Sequence, residues 1–369
     1  MTLRSCRAVF MRGGTSKAIL FRAEDLPADR AAWDPIFLAA MGSPDPNGRQ
    51  LDGMGGGVSS LSKVCVIGPP TRDDADVDFT FAQVGITDML VDYASNCGNM
   101  SAAIGPFAVD EGIVAAPADG EAQVRIHNTN TGKIIVARFP VAGGRSVVEG
   151  DLAIDGVAGT GAPIRLDFTD PGGAKTGKLL PTGNAADVIE VAGIGPLRVS
   201  LIDAANPTVL LVAADIGMSG TEAPTAIERD ADLMARLEEI RRSAAVAMGL
   251  APDLESAAKT ISIPKVGLLS APADGAVDIM ARVMSSGQPH RAVPLTAALC
   301  LAVGCRIPGS VAQDLVQAGD PSGPVRIGHP SGAILVAAEV NTSPDGVHVP
   351  YATFFRTARR LFQGEVLYR

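Results

Sequence analysis

The sequence predicts an α/β protein built from two similar, strand-rich halves. Three observations carry that reading. Runs of alternating Val, Ile and Leu recur from end to end between Gly/Pro turns, the period-two pattern of strands. Each half holds one apolar segment at helical spacing, the first after Cys97 and the second over residues 295–302. Finally, 369 residues, 47% of them hydrophobic, are too many for one core and ample for two. No fixed short repeat is visible, so the halves are at most a domain duplication.

Residues 7–11 and 17–22 read as strands around Arg12-Gly13-Gly14-Thr15-Ser16-Lys17. That loop either closes a plain hairpin or offers N–H groups and hydroxyls to an anion. It lacks the spacing of a Walker loop. Residues 28–41 then form a helix with Ala, Leu and Phe on one face, ended by Gly42-Ser43-Pro44. The next loop, RQLDGMGGGVSSLSK, sets Gly53, Gly55, Gly56 and Gly57 within five residues. Ordering so free a chain is costly unless a ligand or another backbone approaches closely. The loop delivers Ser62 and Lys63 to the mouth of an apolar strand, 64–67. Lys63 is there either as a solvated end charge or, partly desolvated, as an amine of lowered pKa suited to proton transfer.

Residues 77–86 and 88–93 are strands, followed by the helix marked by Met100, Ile104, Phe107 and Ala108 and closed at Gly112. Asn96 is its expected cap, and Cys97 falls in the first turn. A thiol there meets free N–H groups and the positive end of the helix dipole, which stabilise a thiolate. A buried structural cysteine is the competing reading. Asn128 to Lys133 is a hairpin turn between strands 124–127 and 134–139. Gly143-Gly144 is the first strong break in composition, which puts the domain border there and gives units 1–143 and 144–369.

The second half reads as strands at 146–154, 164–168, 188–191, 197–202, 208–213, 263–270, 277–283, 325–327 and 334–340. An amphipathic helix, 230–248, carries acids early and Arg241 and Arg242 late, as the helix dipole favours. Pro289-His290-Arg291 leads into the central apolar helix near 292–306. Cys300 and Cys305 lie within or at the end of that helix and read as core thiols.

A net charge of −9 without any Lys/Arg block argues against nucleic acid. A small anionic substrate stays open, held by local basic groups against the overall sign. Five cysteines without CxxC spacing and four scattered histidines signal no zinc site, disulfide framework or other cofactor. The N-terminus lacks a signal-peptide apolar stretch, and no run reaches the roughly 18 apolar residues of a membrane span. A cytoplasmic protein with reduced thiols is expected.

At this point the sequence resembles a known family. MRGGTSK, MGSPDPNGRQLDGMGGGVSSLSKV, VDYASNCGNMSAAIGPFAVDEG, VRIHNTNTGK, LLPTGN, the GHPSG turn and RTARRLF follow one another as they do in the PrpF family. This is the group of 2-methylaconitate isomerases, 3-methylitaconate Δ-isomerases and 4-oxalomesaconate tautomerases, with the fold of diaminopimelate epimerase. The likeness covers essentially the whole chain. It is strongest to the methylitaconate branch through FAQVGITDMLVDYASNCGN, VRIHNTNTGK and DAANPTVLLVAADIGMSGTEAP, while HRAVPLTAALCLAVGCRIPGSV is more like less defined members.

The resemblance implies two α/β (α+β) domains, each a curved mixed sheet wrapped around a central helix, with the active site in the cleft between them. Residues near 350–369 can return to the first domain in that fold. The catalytic lysine and cysteine of the family fall on Lys63 and Cys97. Substrate contacts fall on the loops holding Arg12, Gly13, Thr15, Ser16, Gly56, Gly57 and Ser62, on Asn96, Gly98 and Asn99 at the helix start, and on His290, Arg291, Ser331 and Gly332. The second helix-start cysteine of the epimerases corresponds to Pro294, so a two-thiol racemase is disfavoured. The expected activity is a cofactor-independent isomerase of an unsaturated di- or tricarboxylic acid. An amino-acid racemase or epimerase, and a polycarboxylate-binding accessory protein to a dehydratase, are the alternatives. Dimers common on the fold leave a homodimer open.

Overall fold

The computed structural model describes residues 3–272, 275–317, 323–343 and 346–369. The chain divides into two compact units, Met1–Asp167 with Phe355–Arg369, and Phe168–Phe354.

In the first unit the chain starts as a hairpin, β1 (Arg4–Gly13) and β2 (Ser16–Arg22). Helix α1 (Trp33–Met41) crosses over to β3 (Lys63–Gly68), which lies parallel to β2. β4 (Val77–Val84) is antiparallel to β3, and the two-residue β5 (Val91–Asp92) to β4. Helix α2 (Gly98–Asp110) follows, then β6 (Gly120–Asn128), parallel to β4, and β7 (Lys133–Ala142), antiparallel to β6. The strand Ala358–Tyr368 returns to pair with β1. Apart from Asp110 every residue of α2 is buried, against β1, β2, β3, β6 and β7. A helix enclosed on all sides has to be apolar and slim, as GNMSAAIGPFAV is. At Gly105 an added Cβ would come within 2.7 Å of the Phe139 ring.

The second unit repeats this order. Strands Gly195–Ala204 and Asn206–Val212 form an antiparallel hairpin. Helix Ala231–Ala247 crosses over to Lys265–Ser270, parallel to Asn206–Val212. Ile279–Ser285 pairs antiparallel with that strand, and the short Gln288–Pro289 antiparallel with Ile279–Ser285. The wholly buried helix Leu295–Gly304 follows, then Val325–His329, parallel to Ile279–Ser285, and Gly332–Ala338, antiparallel to Val325–His329. Thus in each unit the same sequence of pairings gives a mixed set of strands enclosing one helix.

Several local expectations change. The strand expected over 146–154 is only Arg145–Ser146 and Leu152–Ala153; Gly150 packs so tightly on the Ala162 backbone that a Cβ there would lie at 2.6 Å. Gly143-Gly144, with φ of 57° and 72°, makes the two-residue turn joining β7 to Arg145–Ser146, a conformation glycine adopts without steric cost. The first helix starts at Trp33 after a tight turn capped by Asp29, not at 28. Strand 88–93 shrinks to Val91–Asp92.

Candidate functional site

The ends of β1 and β4, the starts of β2 and β3 and the start of α2 gather on one rim of the first unit, because β3 runs parallel to β2 while β1 and β4 run antiparallel to them. Lys63 opens β3 and is 6% exposed. Its Nζ donates to Gln83 Oε1 directly across the ladder and sits 5.1 Å from the Phe81 ring. Burial drives its pKa down; the neighbouring thiols of Cys97 and, less strongly, Cys65 pull the other way. No described carboxylate pairs with it. An ammonium held by one neutral acceptor is poorly stabilised, so the amine loses its proton more readily than a surface lysine.

Gln83 is itself anchored: Nε2 donates to Ser59 O (3.1 Å) and Ser62 O (2.8 Å). Ser62 donates from Oγ to Val84 O and accepts from Gln50 Nε2 at 2.7 Å. Gln50 Oε1 accepts the Gly57 N–H at 3.0 Å. The glycine-rich loop thereby fixes Lys63 through Gln50, Ser62 and Gln83. Its glycines answer to close protein packing: a Cβ on Gly53 would strike the Gly42 backbone, one on Gly55 the Gln50 amide, one on Gly56 the Leu61 side chain and one on Gly57 the Gly48 carbonyl.

Cys97, not Asn96, is the N-cap of α2. Its backbone is extended, its carbonyl accepts from Ser101 N and Oγ, and its own side chain caps nothing. Cys97 therefore stands at the edge of the first turn, with Gly98 inside it, and both are buried. Asn96 is buried beside it. One residue further on, Asn99 donates from Nδ2 to Thr15 Oγ1 (3.2 Å) and accepts at Oδ1 from Arg356 Nε (3.1 Å). Gly13 and Gly14 are glycines for this reason: a Cβ on Gly13 would meet Asn99 O at 2.6 Å, and one on Gly14 would meet Asn99 Oδ1 at 2.2 Å. Ser16 is buried at the start of β2. Arg12 holds the loop from outside, its Nη1 donating to Gly14 O and Thr357 O.

The second unit presents an equivalent rim with different groups. Lys265 opens its strand as Lys63 opens β3, and is buried beside Ser285 Oγ (3.2 Å). Pro294 is the N-cap of the enclosed helix, where Cys97 stands in the first unit. Cys300 lies deep in that helix against Ile202 O, and burial pushes its thiol up to about 12; Cys305 is pushed to about 12 likewise. His290 accepts the Ala292 N–H at Nδ1 (3.0 Å), and His329 accepts the Ser331 N–H in the same way (3.2 Å). Ser331 Oγ donates to Arg291 O at 2.5 Å, which brings His290, Arg291, Ser331 and Gly332 together. Arg291 is engaged with Glu228 at 2.6 Å. Among the described residues no group of three or more His, Cys, Asp or Glu is arranged to hold a metal, and no helix is long and apolar enough to cross a membrane.

Residues 4–369 match the family model described as PrpF protein. The chain belongs to the PrpF family. It is 44% identical to 3-methylitaconate isomerase of Eubacterium barkeri, over 97% of this chain and 96% of that one. It is 39% identical to 2-methyl-aconitate isomerase of Cupriavidus necator (97% and 96% covered) and 42% identical to 4-oxalomesaconate tautomerase of Pseudomonas putida (97% and 94%). Among solved structures it superposes on a methylitaconate Δ-isomerase with a TM-score of 0.77 at 42% identity, covering 100% of this chain and 96% of the other. A probable proline racemase, at 13% identity and a TM-score of 0.60 over 98% and 92% of the two chains, shares the fold. This PrpF-family chain is an isomerase on a diaminopimelate epimerase-type fold.

The residue that sequence reasoning missed is Arg356. RTARRLF contributed to the family resemblance, but nothing local marks Arg356 as the buried arginine of that run; only the return of the C-terminal chain to the first unit brings it to Asn99.

Proposed function

We propose that this PrpF-family protein isomerises an unsaturated di- or tricarboxylic acid by carrying a proton from one carbon to another, with Lys63 and Cys97 as the acid/base pair. The observation that supports it most is Lys63: a buried amine without a carboxylate partner among the described residues, in the electrostatic field of a thiol at a helix start. In acids such as methylitaconate, methylaconitate or oxalomesaconate, a C–H next to the double bond is acidified by conjugation with a carboxylate. One of the two groups takes that proton, and the electron pair delocalises into an enolate-like intermediate. The other returns a proton to a different carbon, so the double bond moves or changes geometry. Each positioned acid or base supplies about 10²–10⁴-fold. The first-turn N–H groups of α2 are suited to hold developing negative charge. Pro294 at the start of the second enclosed helix cannot exchange a proton, which weighs against a two-thiol racemase.

Proton NMR in D₂O tests this. The protein is mixed in turn with aconitate, methylaconitate, methylitaconate, oxalomesaconate and diaminopimelate, beside Cys97→Ser and Lys63→Ala. Deuterium entering at an allylic carbon with a moved or inverted double bond, abolished in both variants, is the expected result. Exchange only at the α-carbon of diaminopimelate would instead support a racemase. Binding without exchange would support an accessory role.

A further inference from the structure

We infer that Arg356 anchors a carboxylate of the substrate at the start of α2, an assignment that rests on the polycarboxylate reading above. Arg356 is 6% exposed at the end of strand Tyr351–Arg356. Its Nε donates to Asn99 Oδ1 (3.1 Å) and its Nη1 to the carbonyl of Phe355 (3.0 Å). Its guanidinium makes no other hydrogen bond or ion pair among the described residues, which leaves Nη2 unused and the positive charge without a described carboxylate. Other buried arginines are more fully held. Arg241 has Glu238 together with three backbone carbonyls, and Arg282, which like Arg356 has no described carboxylate hydrogen bond, donates from Nε, Nη1 and Nη2 to the carbonyls of Glu222, Ala281 and Thr221. A buried guanidinium without an anion is an unfavourable arrangement unless an anion arrives.

The surroundings say which anion. Asn99 ties Arg356 to the first turn of α2, two residues from Cys97, and its amide reaches Thr15 on the Gly13-Gly14 loop. The Arg356 Cδ lies where a Cβ on Gly14 would be 3.1 Å away, so the absence of that Cβ makes room for the arginine. The guanidinium, the helix N-terminus and the Ser16 hydroxyl, which makes no hydrogen bond to a described residue, are all suited to an oxyanion. With Nε and Nη1 already engaged, one carboxylate oxygen can dock on Nη2. Such a site fixes one carboxylate of the acid near Cys97 and leaves the C–H chemistry to the acid/base pair.

The test compares wild type with Arg356→Gln and Arg356→Lys. Affinity is measured by calorimetry for propane-1,2,3-tricarboxylate, a saturated acid that cannot isomerise, and KM and kcat for methylitaconate. Losing one charge-assisted contact is expected to weaken tricarboxylate binding and raise KM roughly 10- to 100-fold, with a smaller change in kcat. Added guanidinium ion should recover part of the loss in Arg356→Gln, and Arg356→Lys should fall between the two. Unchanged affinity in folded Arg356→Gln overturns the inference, and so does failure of both variants to fold, which assigns the guanidinium to the scaffold. The two readings fail separately. Arg356-dependent tricarboxylate binding without turnover of any acid retains the anchor and removes the isomerase chemistry. Turnover with Arg356-independent binding does the reverse.

Discussion

Replacing Lys63 by Met tests the chemistry and its physical basis together. The side chains are of similar length, and Met suits the Phe81 ring and the apolar strand, so no cavity opens. The substitution removes one hydrogen bond to Gln83, a loss of about 1.5–3 kcal/mol for a bond to a charged group, and also removes the cost of burying an ammonium. The two effects oppose each other, so the variant should fold. Their balance depends on pH. Folding lowers the Lys63 pKa below its unfolded value of about 10.4, so in the interval between the two values the unfolded chain holds the extra proton. Stability of the wild type therefore rises with pH across that interval, by about 1.4 kcal/mol for each unit of pKa depression. Below the folded pKa the penalty is fully present; above the unfolded pKa it is gone. Lys63→Met lacks the penalty everywhere, so its stability relative to wild type should be most favourable at low pH and decline towards pH 10. Urea unfolding at several pH values from 6 to 10 measures this, and NMR turnover with the preferred acid should fall by about 10²–10⁴-fold. A stability difference that does not move with pH, or turnover above a tenth of wild type, would refute the account of Lys63 as a desolvated proton carrier.

Cys97→Ser should lose turnover by at least 10²-fold with little change in melting temperature, since its side chain caps nothing; Cys300→Ala, buried in the second unit, should keep its kcat, read in the same NMR assay. Gln83→Leu strips partners from Ser59 O and Ser62 O, so the protein should lose about 1–3 kcal/mol in urea titrations. With its acceptor gone the Lys63 ammonium is less favoured, and the Lys63 limb of the pH–rate profile should move to lower pH. Gly105→Ala drives a methyl into the Phe139 ring and should cost about 1–3 kcal/mol, seen by calorimetry as a melting temperature lower by roughly 2–10 °C.

What the sequence by itself determined is local. Alternation located most of the strands, the Asn128–Lys133 turn and the Asp230-capped helix, because strand periodicity, turn chemistry and caps act over a few residues. Lys63 and Cys97 were legible as candidates because one follows a glycine-rich loop into an apolar strand and the other precedes an apolar helix. The resemblance to PrpF proteins carried the fold, and the family match bears it out. Tertiary structure decided everything that depends on which distant segments meet. The cap of α2 fell on Cys97 instead of Asn96, since the entry of the chain from β5 sets where helical backbone begins. The glycines of 53–57 were explained by Gly42, Gln50, Leu61 and Gly48, neighbours brought in by the fold. The two halves already read as alike in the sequence, but their position-by-position correspondence, with Lys265 standing in for Lys63 and Pro294 for Cys97, showed itself only in strand registers, because the halves preserve pairings while their side chains have diverged. And Arg356 became visible only at Asn99, 257 residues away in the chain, where burial without a described carboxylate distinguishes it from the other arginines of its segment.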